Sequence, residues 1–301
     1  MAIGDTITAA RYNNIQSRLA AIMGEGAGTD GYGQTLASST VAVSSTVTAL
    51  NMQNLYDDMF AARVHQTGTA PVTIADMAVG DTIGENSSTD PNGSVKGYTD
   101  FEGLIPTIES DKFLIHGSQA SVEAAITSTR STAWNGTVVH TFTVTFSSES
   151  HRRHFFNAGG EIRFSASLIG YSGSKGTDWA SMLANMGTIK FNYTETTFTG
   201  TGTGSAIGNY DLTGSYQQIF IKSGSGVYVE NDYNIQARAS AVNAIEFRVE
   251  FRDDDLGDQT GLGPPVVENV TGTLTSTIQQ YRPTGSYVSV PTPSYVNNIT
   301  L

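Results

Sequence analysis

The densest polar cluster in the sequence is His151-Arg152-Arg153-His154. Its two imidazoles, His151 and His154, are candidate metal ligands. On a strand they would point to opposite sides and could not chelate one ion unless the backbone bends. The strand reading makes the cluster a polar strand start, with Arg152 or Arg153 pairing to acids, carbonyls or an acidic neighbouring subunit. A second cluster, Arg252-Asp253-Asp254-Asp255-Leu256-Gly257-Asp258, concentrates carboxylates in a loop. Asp253, Asp255 and Asp258 are candidates for Ca²⁺, but the twelve-residue EF-hand pattern and its closing Glu are missing, and a solvated turn is the simpler expectation. Gly170-Tyr171-Ser172-Gly173 lacks the spacing of a nucleophile elbow. Gly200-Thr201-Gly202-Thr203-Gly204 lacks the Lys and final Gly of a phosphate loop and reads as a turn. Paired carboxylates for glycoside hydrolysis can come from distant positions, and nothing singles out a pair.

Composition narrows the chemistry further. The 301 residues contain no Cys, which removes disulfides, thiolate nucleophiles and Cys-based metal centres together. Charged residues make up 15%, against about 25% in ordinary soluble domains. Thr, Ser, Asn and 32 Gly take their place, a surface suited to turns, strands and subunit contacts. The net charge of -12 repels phosphate backbones and anionic lipid, so neither nucleic acid nor a membrane is an expected partner. The N-terminus shows no signal-peptide pattern, and no apolar run approaches ~18 residues. The expectation is a chain with no export address and no cofactor.

The elements that must position these residues can be read from periodicity. A first helix is capped by Thr8 and carries Tyr12, Ile15, Leu19, Ile22 and Met23 at helical spacing before Gly24. A second helix repeats it with a shift of 40: Thr6-Ile7-Thr8-Ala9 aligns with Thr46-Val47-Thr48-Ala49, Asn14 with Asn54, Ile15 with Leu55, and Leu19 with Met59. Chance similarity between two capped helices is the alternative. A Gly-rich loop at 25–39 joins them. Residues 1–68 therefore read as a two-helix anchoring region whose apolar stripe needs a partner, and 69–115 as an extended linker in which 100–113 could hold a short helix limited by Pro106. Residues 118–130 are ambiguous between helix and strand.

From 133 onward the period becomes two. Phe142, Val144 and Phe146 alternate with Thr141, Thr143 and Thr145. Ile162, Phe164 and Leu168 alternate with Arg163, Ser165 and Ser167. Ile245, Phe247, Val249 and Phe251 alternate with Glu246, Arg248, Glu250 and Arg252. Further strands are expected near 189–194, 216–222, 227–239 and 270–280. One helix interrupts them, capped by Asp178 and ended by Gly187. The fold expectation is mainly β: an antiparallel β-sandwich at 116–301 with one covering helix, preceded by a small N-terminal helical hairpin. The tail from Arg282 reads as extended and available to a neighbour.

The string His154-Phe155-Phe156-Asn157-Ala158-Gly159-Gly160-Glu161-Ile162-Arg163-Phe164 resembles segments of virion structural proteins of tailed bacteriophages. So do the stretches around Trp179 to Ile189, the Asp-rich turn, Tyr12-Asn13-Asn14-Ile15, Gly31-Tyr32-Gly33-Gln34 and His65-Gln66-Thr67-Gly68. About two thirds of the chain is covered. The resemblance implies a tail, baseplate, neck or fibre component present in symmetric copies, located in the virion, with itself and other virion proteins as partners and no catalytic residues to carry over. The expected assembly interface comprises Tyr12, Ile15, Leu19, Leu55, Met59, His151, Arg152 and Arg153. Trp134, Trp179, the thirteen Tyr residues and the polar loops keep a host-glycan-binding module as the first alternative, and a polysaccharide or cell-wall hydrolase is the second.

Overall fold

Thr8 and Thr48 start two helices by the same local chemistry. Each hydroxyl accepts the backbone N–H three residues on, from Arg11 (3.3 Å) and from Asn51 (3.2 Å). At Thr48 the Asn51 side chain answers by accepting the Thr48 N–H at 2.9 Å, closing a capping box. The helices are α1, Ala9–Met23, and α2, Ala49–Thr67. The repeat extends to burial: Tyr12 and Met52, Ile15 and Leu55, Leu19 and Met59 are all interior pairs at the 40-residue shift. Thr6, the first position of the repeat, lies outside the described residues. A computed structural model of the protein describes residues 7–78, 81, 84, 85, 97–255 and 268–301.

The chain divides into two units. The first gathers Met1–Ser121, Arg153–Gly160 and Arg282–Pro291. Its third helix, α3, Tyr98–Ser110, falls in the stretch read as a linker and runs straight through Pro106. The missing proline N–H costs one helical hydrogen bond. Burial of Tyr98, Phe101, Leu104, Ile105 and Ile108 on one face outweighs it. Arg11 spans from α1 to Glu102 of α3 (2.7 Å) and to Glu85 (3.2 Å), and Arg18 to Glu109 (2.6 Å).

The second unit comprises Val122–Arg152, Glu161–Tyr281 and Thr292–Leu301. Two antiparallel six-stranded sheets carry the β architecture. One contains β1 (Ala120–Val122), β2 (Ile126–Arg130), β4 (Glu161–Ile169), β5 (Ile189–Phe191), β6 (Thr196–Phe198) and β11 (Thr273–Pro283), in the order β1-β11-β4-β5-β6 with β2 also on β11. The other runs β12-β3-β10-β9-β8-β7, from β3 (Gly136–Thr145), β7 (Thr203–Gly204), β8 (Gln217–Ser223), β9 (Asp232–Ala241), β10 (Ala244–Asp253) and β12 (Ser294–Ile299). The mainly β, two-sheet arrangement with helices is thus the one the alternation predicts. Phe142 and Phe247 of one sheet meet Phe164 of the other at ring distances of 6.0 and 5.1 Å, and Phe191 meets Phe247 at 5.2 Å.

Several local expectations change. His151 to His154 lie not on a strand but in helix α4, Glu149–Asn157. Its start is capped, because Ser148 Oγ accepts the His151 N–H at 3.0 Å and Glu149 occupies the first turn. Helix α5, Gly173–Asn185, begins five residues before Asp178, whose carboxylate accepts the Ser225 N–H (3.1 Å) instead of capping. The turn of 3-10 helix at Gly226–Tyr228 stands where strand was expected. The tail is extended, yet β12 pairs with β3 of its own chain. Among the described residues no helix is long and apolar enough to cross a membrane.

Candidate functional site

The inward register of β10 runs Ile245, Phe247, Val249, Phe251 and ends on Asp253, all buried. Strand geometry therefore delivers a carboxylate to the interior, where it needs a charge partner. Lys175, in the first turn of α5, supplies it. The ammonium is 2% exposed and lies 3.1 and 3.2 Å from the two Asp253 oxygens. It lies 3.2 Å from Asp255 Oδ2, and donates to the Glu268 carbonyl (2.9 Å) and the Asp255 carbonyl (3.3 Å). Burial pushes the Asp253 carboxyl up from its usual range, and the hydrogen bond from Lys175 opposes that shift. Asn231, fully buried, accepts the Asp255 N–H at 3.0 Å. Asp258, the third carboxylate considered for Ca²⁺, lies outside the described residues. Among the described residues there is no group of three or more His, Asp or Glu placed to hold a metal.

The His-Arg cluster is likewise committed to structure. His151 Nδ1 accepts the Ser147 N–H at 3.1 Å and meets Ser147 Oγ at 2.9 Å, so the imidazole holds the chain that leads into α4. Arg152 is buried and donates from Nε to Asn209 Oδ1 (2.6 Å), from Nη2 to Asn209 O (3.2 Å) and from Nη1 to Ala241 O (3.3 Å). Desolvation lowers its pKa, and five donors in a rigid fork explain why arginine serves here. Arg153 Nη2 and His154 Nε2 both reach the Glu25 carbonyl, at 2.9 and 3.0 Å. The two histidines thus serve separate contacts and do not converge on a metal.

Tyr12, Ile15, Leu19, Leu55 and Met59 are all interior, at no more than 1% exposure. Their partners are the helices of their own unit: Tyr12 Oη donates to the Asn51 carbonyl at 3.1 Å, and burial pushes the phenol up to about 12. The stripe that needed a partner finds it within the chain, so these side chains are not surface available to another subunit. Trp134 and Trp179 are also interior, packed edge to face at 6.0 Å.

Two buried histidines escaped the sequence reading. His140 sits on the inward face of β3, between Ser276 Oγ (3.0 Å) and Asn297 Oδ1 (3.2 Å), with its pKa lowered by burial. Its place in the period-two register with Phe142 and Val144 was the available signal. His65, fully buried at the end of α2, meets the Ala158 carbonyl through Nε2 at 3.1 Å, and burial lowers its pKa to about 4. A cleft of about 370 Å³ lined by Arg18, Asp30, Glu109 and Lys112 has its charges paired internally: Arg18 with Glu109, and Lys112 with Asp30 at 2.6 Å. No protein-family model matches the chain, and no curated protein or solved structure matches it.

Proposed function

We propose that the chain is a structural subunit of a tailed-phage virion, built into a tail, baseplate, neck or fibre through contacts with copies of itself and with other particle proteins. One observation supports the reading most: the side chains best suited to chemistry are occupied in structural contacts. His151 accepts the Ser147 N–H just ahead of α4, Arg152 clamps Asn209 and Ala241, and Lys175 neutralises a buried Asp253. The resemblance across 154–164 supplies the particle class.

With the helical stripe inside, assembly contacts must use the surface that remains. Strand β12 is outermost in its sheet, has no charged residue, and exposes Val296 and Ile299 at 57% and 53%. Natural sheets usually protect such an edge with charge or proline. The test is the native mass of the purified chain by light scattering, for the natural sequence and for Val296→Lys. A discrete multiple of 31.9 kDa that falls toward the monomer in the variant is expected. A monomer at every concentration that saturably binds a host glycan would replace this reading with the receptor-binding one.

A further inference from the structure

Lys175 Nζ lies 3.1 and 3.2 Å from the two Asp253 oxygens, which puts it within about 3.5 Å of the Cγ between them, the separation of reactants in a near-attack arrangement. The main-chain carbonyls of Glu268 and Asp255, at 2.9 and 3.3 Å, hold the nitrogen in that position. Both side chains are closed to solvent, at 2% and 0% exposure, and the residues that follow each along its own element are aromatic. Trp179 lies one turn further along α5, and Phe251 shares the inward face of β10 with Asp253. Both are fully buried, and Trp134 and Tyr233 pack on them at ring distances of 6.0 and 5.2 Å. Burial raises the Asp253 carboxyl, which brings its acid form within reach. Two further groups face the pair: Asp255 Oδ2, 3.2 Å from Nζ, and the side-chain amide of Asn231, a hydrogen-bond donor set against Asp253. An amine against a buried carboxyl, a carboxylate beside the nitrogen and an amide donor beside the carbon are the parts of an acyl-transfer site.

We propose that Lys175 and Asp253 condense into an isopeptide bond, an amide between Nζ and Cγ, with Asp255 carrying the proton. A proton first passes from the ammonium to the Asp253 carboxylate, leaving a neutral amine and a neutral acid. The Nζ lone pair then attacks Cγ. The C–N bond forms, and the carbonyl π pair moves onto an oxygen that faces the Asn231 amide. Asp255 accepts the proton released by the nitrogen and delivers it to the Cγ hydroxyl. The C–O bond breaks, the carbonyl re-forms, and water leaves past Asp255, whose side chain is 16% exposed. Nothing is oxidised or reduced: an ammonium and a carboxylate become one neutral amide and one water. The product removes both buried charges, so the desolvation that opposes the ion pair favours the amide. In a chain without Cys it supplies the covalent tie that a disulfide would, joining α5 to β10 across 78 positions of sequence.

The test is the intact mass of the purified full chain under denaturing conditions, together with tryptic mapping. The expected result is a natural chain lighter than its sequence by one water, a branched peptide that joins Lys175 to Asp253, and no cleavage after Lys175. Lys175→Arg and Asp255→Asn are expected at full mass, with the tryptophan emission of the folded β unit retained. A folded natural chain at full mass, cut by trypsin after Lys175, would overturn the proposal. So would a loss of water that persists in Lys175→Arg, because the bond would then lie elsewhere. Condensation that proceeds unchanged in Asp255→Asn would overturn the role given to Asp255. The link is read on the natural chain itself, so a variant that does not fold leaves the decision intact.

Discussion

Among the described residues both units carry partly exposed ion pairs, and the β unit adds one that is closed to solvent. In the helical unit, Arg11, Arg18, Arg63 and Lys112 pair with Glu102, Glu109, Asp111 and Asp30 at 2.6 to 2.7 Å, with most of these side chains between about a fifth and two fifths exposed. In the β unit, Lys175 and Asp253 pair with almost no exposure. Partly exposed pairs gain little, because water screens them and long side chains must be held still. A buried pair gains little net energy over an apolar substitute, but removing one member strands the other in a low dielectric. Similar distances therefore predict different sensitivities, and the molecule provides a direct way to measure the difference. Both tryptophans belong to the β unit, whereas α1, α2 and α3 belong to the helical one. Tryptophan fluorescence thus follows one unit, and helical circular dichroism is weighted toward the other.

The sharpest way to break the contrast is Lys175→Met. Stranding Asp253 should cost about 3–5 kcal/mol, seen as an earlier tryptophan-monitored urea midpoint. A loss below about 1 kcal/mol would mean the buried pair behaves like the exposed ones. Leu55→Ala should cost about 2–5 kcal/mol by opening a cavity in the helical core. That loss should appear in the helical dichroism, and a shift confined to the tryptophan signal would contradict the separation.

His65 adds a pH dependence to the helical unit. Its folded pKa of about 4 lies below the ordinary 6.5, so the unfolded chain binds the proton first. Stability is fully present above pH 6.5 and declines as pH falls toward 4, by roughly 3 kcal/mol in all. Urea midpoints taken across that window should flatten in His65→Gln relative to the natural chain. The smallest effect belongs to Arg18→Gln: about 0–1 kcal/mol, shrinking further in high salt.

What the sequence made legible follows from what local pattern encodes. Alternation predicted β10 and β3 because one face is dry and the other wet, and Thr8 and Thr48 announced their helices by capping chemistry. The same alternation placed Asp253 inward, and reading one residue further along β10 would have flagged it. Helix α4 was obscured because His151 and Arg152 look like surface residues, although Ser148 and Glu149 carried an N-terminal signal. Local pattern had no means of assigning residues 153–160 and 282–291 to the helical unit, since those associations depend on distant chain. The same limit hid Lys175, whose partners lie some eighty positions further on.

That long-range membership has a consequence for how the protein is made. Phe155 and Phe156 are buried parts of the helical unit, and Gln34 exchanges hydrogen bonds with the main chain of Ser289 at 3.2 and 3.3 Å. Tyr287 packs against Phe60 with ring centroids 5.6 Å apart. A ribosome that has released the first 121 residues has therefore delivered the three helices but not the pieces that complete their core. The N-terminal unit begins first yet is not complete until Pro291 has emerged, so a stalled or truncated nascent chain leaves apolar helix surface open to chaperones and to other unfinished chains.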